Sequence, residues 1–137
     1  MNIPTVLLYR AMKKSDIDNL PVIGHNSGAE LGVRDDDIPV DDLGNVKPNN
    51  GGFSVTADDP DDLPDHRKPK NMGGTGKNPV FYIASNSLNN KLSFVMDTSL
   101  TAERNHSFIE PKIEMSMEDY RDEICKTRND WKLYSRP

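Results

Sequence analysis

The sequence is poor in the residues that build covalent or metal frameworks. Cys125 is its only cysteine, so no intramolecular disulfide and no cysteine zinc cluster can form, which suits a reducing compartment. Set among "DEICK" in a predicted helix, that thiol lacks the electropositive setting a nucleophile needs and reads as semi-buried packing. The three histidines, His25, His66 and His106, are scattered, and neither HExxH nor paired-cysteine spacing occurs, so no metal is assigned. Hydrophobic residues make up 34% of the chain and mean hydropathy is -0.72, which places part of it outside a packed core. No apolar run approaches the roughly 20 residues that cross a bilayer. "MNIPTV" also lacks the charged and apolar regions of a Sec signal, so a cytoplasmic protein with no membrane association is expected.

Aspartate and turn residues are plentiful instead. The 137 residues suit a single domain, 1–137, and ten prolines with nine glycines predict long loops within it. The net charge of -5 is unevenly spread. Residues 35–65 hold ten aspartates and one lysine, which leaves the remainder of the chain at +4. "DDDIPVDD" and "DDPDDLPD" lack the ligand order and central glycine of a calcium loop, so they read as solvated acid or as a partner-docking surface. "GGTGKN" lacks the first glycine, the hydroxyl residue and the following helix of a phosphate-binding loop, although Lys77 remains able to meet a phosphate.

Branched and aromatic runs predict strands over Thr5–Met12, "GGFSVTA" (51–57), "VFYIA" (80–84), "LSFVMD" (92–97) and "HSFIE" (106–110). The turn-like "SNSLNNK" suggests that the third and fourth of these pair as neighbours. Ser15, with Asp18 three residues on, predicts a short helix before Pro21. Ser116 caps a C-terminal helix, with Met117, Tyr120, Ile124 and Trp131 on one stripe. Residues 24–50 and 58–79 read as long polar loops, the second mobile. The fold class is α+β: a mostly β core, a C-terminal helix and long loops.

Three polar insertions interrupt the apolar strands: Arg10 in "LLYRA", Ser54 and Thr56 in "GFSVT", and His106 in "NHSFIEP". Singly, each has an ordinary structural explanation, such as a snorkelling arginine or a satisfied histidine. In this order they resemble the ADP-ribosyltransferase-like fold, with a basic residue on the first strand, hydroxyls on a second, and a polar residue on a late strand. "LYRA" (8–11) and "HSFIEP" (106–111) before a C-terminal helix are similar to the small type VI secretion effector toxins of that fold. The resemblance implies a bacterial toxin that consumes NAD as its cofactor and transfers ADP-ribose to a protein or nucleic acid. It also implies a cognate immunity or antitoxin protein and delivery by a route other than Sec.

Under that resemblance Arg10, Ser54, Thr56 and His106 line the cleft. Arginine suits a pyrophosphate or ribose hydroxyl because its planar fork holds its charge. The hydroxyls of Ser54 and Thr56 can orient the ribose. The imidazole can bind a ribose hydroxyl or act as a base. Tyr9 or Phe53 offers an aromatic face to nicotinamide, though strand alternation places both opposite the polar residues. His106 stands where better-known transferases carry glutamate, and Glu103 or Glu110 could supply that carboxylate. The alternatives are an NAD glycohydrolase using the same cleft, and a non-enzymatic acidic interaction protein that presents Asp35–Asp65. "HRKPK" (66–70) hints at a phosphate-rich target.

Overall fold

The computed structural model describes residues 5–135. Six strands form one antiparallel sheet: β1 (Leu7–Ala11), β3 (Phe53–Ala57), β4 (Val80–Ala84), β5 (Leu92–Met96), β6 (His106–Pro111) and β8 (Lys132–Leu133). Their spatial order is β5-β6-β3-β1-β4-β8. β2 (Asn45–Val46) and β7 (Met115–Ser116) make a separate two-stranded ribbon. The one α-helix among the described residues, α1 (Met117–Lys126), leads from β7. An α+β fold of mostly antiparallel sheet with one C-terminal helix is therefore present.

Apolar side chains alternate along these strands, and one face of the sheet takes the larger share. Leu8, Phe53, Val55, Ala57, Phe81, Ile83 and Ile109 form a core with Tyr120 and Ile124 of α1 and with Trp131. Burying each large side chain of this kind contributes about 1.5–3 kcal/mol. The Ser116 hydroxyl caps α1 by accepting from Asp119 N at 3.0 Å, as expected. Tyr120 then clips the helix to the sheet, accepting from Phe53 N at 3.0 Å while its own hydroxyl donates to Ile109 O. Gly52 makes room for that hydroxyl. Its φ is +132°, and a Cβ there would lie 2.6 Å from Tyr120 Oη.

Several expectations need correction. α1 stops at Lys126, so Trp131 is not on its stripe; it follows a 3₁₀ turn and is held by Nε1 donating to Thr127 Oγ1 at 2.9 Å. The residues after Ser15 form a turn in which Asn19 takes φ +61°, with Ser15 N donating to Leu20 O. A helix there would have no core to face, since Ile17 is 95% exposed. Segment 24–50 is irregular apart from β2, yet it is not simply polar, because Ala29, Leu31, Val33, Ile38 and Val46 are buried. Segment 58–79 holds two 3₁₀ turns, and its Leu63 and Met72 pack with Tyr9, Val80, Tyr82 and Tyr134 on the second face of the sheet. Finally, β4 and β5 are not neighbours. β4 pairs with β1 and β8, whereas β5 pairs with β6.

Candidate functional site

Register brings the polar residues together. Across the second face, Tyr82 of β4 stands beside Tyr9 of β1, Tyr9 beside Thr56 of β3, and Thr56 beside His106 of β6. Directly paired residues have Cβ atoms about 4.5–5.5 Å apart. Asp97, just past β5, extends the row: its N donates to His106 O at 3.0 Å, and its Oδ2 lies 2.7 Å from His106 Nδ1. The carboxylate fixes the ring so that Nδ1–H donates to it and Nε2 is left to act on a ligand. Phe108 meets the imidazole edge-on, with ring centroids 4.9 Å apart. Asp97 is held below its ordinary pKa, first by the Ser99 backbone N–H and then by His106.

Arg10 enters from the opposite face. β1 and β3 pair only at Leu8–Ala57 and Tyr9–Thr56 and then part, and the guanidinium fills the gap. Its Nη1 donates to Ser54 O at 2.8 Å, and its Nη2 to Gly28 O at 2.9 Å and Glu30 O at 3.1 Å. Cζ lies 4.0 Å over the Phe53 ring. The enclosed Nε has no partner. Burial lowers the guanidinium pKa to about 9, an effect opposed by Asp37 and reinforced by Arg67 and Arg34, so the group stays charged at neutral pH.

Gly28 is the hub of a cationic cluster. A Cβ on it would lie 2.2 Å from Arg67 Nη2 and 3.4 Å from Arg34 Nη1, so two more guanidiniums converge where Arg10 binds the Gly28 carbonyl. Arg34 is paired with Asp37 at 3.0 Å. The Arg67 guanidinium has no hydrogen-bond or ion-pair partner among the described residues. Among the described residues these three guanidiniums have one ion-paired carboxylate, Asp37, which leaves two positive charges without an ion-pair partner. Tyr9, Arg10, Ser54, Thr56, His106, Arg34, His66 and Arg67 all line one open cleft of about 180 Å³ beside Leu63 and Pro64.

Arg10, Ser54, Thr56 and His106 thus reach one cleft, with two changes to the expected arrangement of the aromatics. Tyr9 lies in the same row as Thr56 and His106, because alternation within a strand does not say which of its faces meets a neighbour's. Phe53 is 1% exposed, beneath Arg10 and 6.1 Å from Trp131, and offers no ring to the cleft. Neither glutamate reaches it. Glu103 is exposed, and the buried Glu110 carboxylate accepts from Asn49 N at 2.8 Å. Asp97, Arg34 and Arg67 are the residues that sequence reasoning missed.

The other candidates have structural duties. His25 Nδ1 accepts from Val33 N at 3.0 Å, and burial lowers its pKa. Burial likewise pushes the Cys125 thiol up. The aspartate run is partly consumed by pairing, Asp35 with Arg121 at 2.8 Å, Asp41 with Lys47 at 3.6 Å and Asp62 with Arg104 at 3.7 Å. Among the described residues no helix is long and apolar enough to cross a membrane. Compared with known proteins, the chain matches no family model, no curated protein and no solved structure.

Proposed function

We propose that this chain is an ADP-ribosyltransferase-type toxin of bacteria that binds NAD in the Arg10–His106 cleft and transfers ADP-ribose to a macromolecule. The observation that carries the reading is the meeting of a carboxylate-oriented imidazole, two strand hydroxyls and a cluster of three guanidiniums in one cleft. The two uncompensated positive charges at Gly28 match a dianionic pyrophosphate, with Arg67 as the free fork that receives it. At about 180 Å³ the cleft is smaller than the roughly 300–1,000 Å³ that engulfs a drug-sized ligand. It accordingly holds the nicotinamide ribose and the pyrophosphate, with the two bases along its rim.

In this reading Arg10 is less a phosphate ligand than the clamp that shapes the cleft, since its Nη groups are committed to carbonyls. Thr56 and Ser54 hold the nicotinamide ribose. The C–N bond to nicotinamide breaks and the bonding pair leaves with the neutral base. The acceptor forms a bond to C1′ and its proton passes to His106 Nε2. Asp97 stabilises the resulting imidazolium. A toxin of this kind implies a cognate immunity protein.

Incubating the protein with adenylate-labelled NAD and cell lysate tests the proposal. Label transferred to protein or nucleic acid is expected. Free ADP-ribose alone would make the protein a glycohydrolase, and unchanged NAD would leave the acidic interaction reading in its place.

A further inference from the structure

From His66 to Met96 the chain contains no aspartate or glutamate, yet it carries Arg67, Lys68, Lys70, Lys77 and Lys91. This stretch begins where the acidic segment ends, at Asp65. The fold uses it to wall a second cleft of about 450 Å³, to which Lys14, Lys77, Asn71, Asn78, Met72 and Tyr134 contribute and, among the described residues, no acidic residue does. Among the described residues Lys14, Lys70 and Lys77 make no ion pair. Lys68 is neutralised by Asp65 at 3.8 Å.

The two clefts adjoin. His66 and Arg67 line the first, Pro69 and Asn71 the second, and the rings of Tyr9 in the first and Tyr134 in the second meet edge-on at 5.5 Å. "GGTGKN" forms part of the second wall without cradling a phosphate. The amides of Gly74, Thr75 and Gly76 already donate to the carbonyls of Pro69, Asp65 and Lys68 at 3.1, 2.8 and 2.8 Å. The turn instead presents Lys77 in the same cleft as Lys14.

We propose that this second cleft is the docking track of a single-stranded nucleic acid, which enters the first cleft over the Arg67–Lys70 ridge. The proposal rests on the transferase reading and names its acceptor class, a single-stranded nucleic acid whose attacking group bonds to C1′ and gives its proton to His106. Single-stranded nucleic acid is held by cations spaced along its backbone together with aromatic surfaces for its bases. Here uncompensated lysines stand beside a half-buried tyrosine and two amides able to meet base edges. An acidic polypeptide would need only the lysines, whereas the ring and amides together favour bases.

Fluorescence anisotropy with fluorescein-labelled 12-mer RNA and DNA, without NAD, tests this. Three phosphate contacts predict binding that weakens roughly 20-fold between 50 and 200 mM salt, from a slope of about 0.7 per contact. The double substitution Lys14→Glu and Lys77→Glu should weaken it at least ~10-fold, and Tyr134→Ala, which leaves the charge alone, at least ~5-fold. Absence of binding at low salt, or binding that neither variant changes, overturns the proposal. Tighter binding of labelled polyglutamate than of either oligonucleotide overturns it in favour of an acidic protein. NAD binding is measured separately on the wild-type protein. Oligonucleotide binding without NAD binding would sink the transferase reading and spare the track, and the reverse result would sink the track alone.

Discussion

Replacing Arg10 with lysine should destabilise the fold, and the size of the effect follows from its contacts. The guanidinium makes three hydrogen bonds, to carbonyls on β3 and in segment 24–50, and lies over Phe53. A lysine ammonium keeps the charge but has no fork to span both sides of the gap. Losing one charge-assisted bond costs about 1.5–3 kcal/mol, and the weakened ring contact adds about 0.5–1 kcal/mol. Removing the orphaned Nε–H returns about 1 kcal/mol, for a net loss of about 1–3 kcal/mol. At about 4 °C per kcal/mol for a domain of this size, Tm should fall by roughly 4–12 °C in differential scanning calorimetry. Arg10→Ala loses all three bonds and approaches the roughly 5–15 kcal/mol that holds a whole domain together. Any loss of activity in that variant would therefore reflect unfolding. A Tm for Arg10→Lys within 2 °C of wild type would refute the clamp.

Gly28→Ala places a methyl group against Arg67, a flexible neighbour, so KM for NAD should rise while Tm stays within about 2 °C; a large Tm loss would contradict this reading of the hub. Arg67→Ala should raise the dissociation constant of NAD about 10–100-fold, the equivalent of one charge-assisted contact, as read by isothermal titration calorimetry. Asp97→Asn should lower kcat about 100-fold with NAD affinity nearly unchanged, because it disturbs the imidazole's proton and not the phosphate cluster. Asp97 also makes a pH prediction. A carboxyl whose folded pKa is depressed stabilises the protein above its unfolded value of about 3.9 and loses that effect as pH falls through the folded value. Acid unfolding of Asp97→Asn followed by circular dichroism should therefore show a shallower loss of stability below about pH 4 than wild type.

Five of the strands were legible because each is a short run of β-branched and aromatic residues set off by turns, and "VFYIA" coincides with β4. Pairing was less legible. A seven-residue link made β4 and β5 look like a hairpin, but the chain crosses the sheet and β5 pairs with β6 instead. That misreading concealed Asp97. Once β5 lies against β6, the aspartate at the end of "LSFVMD" stands beside His106, whereas in the sequence it is one of many aspartates. The buried residues of segment 24–50 were hidden for a related reason. Leu31, Val33 and Ile38 have no periodicity, since an irregular backbone buries them one at a time. Arg67 lay within a recognised basic stretch, but only the approach of Gly28 distinguishes it from its solvated neighbours.

The central claim is most directly tested by titrating the ¹⁵N-labelled protein with NAD and following its amide and imidazole resonances. The account predicts saturable shifts centred on Gly28, Thr56, Arg67 and His106, with small effects around Lys14 and Lys77. No shifts at millimolar NAD, or shifts confined to residues away from the first cleft, would contradict it.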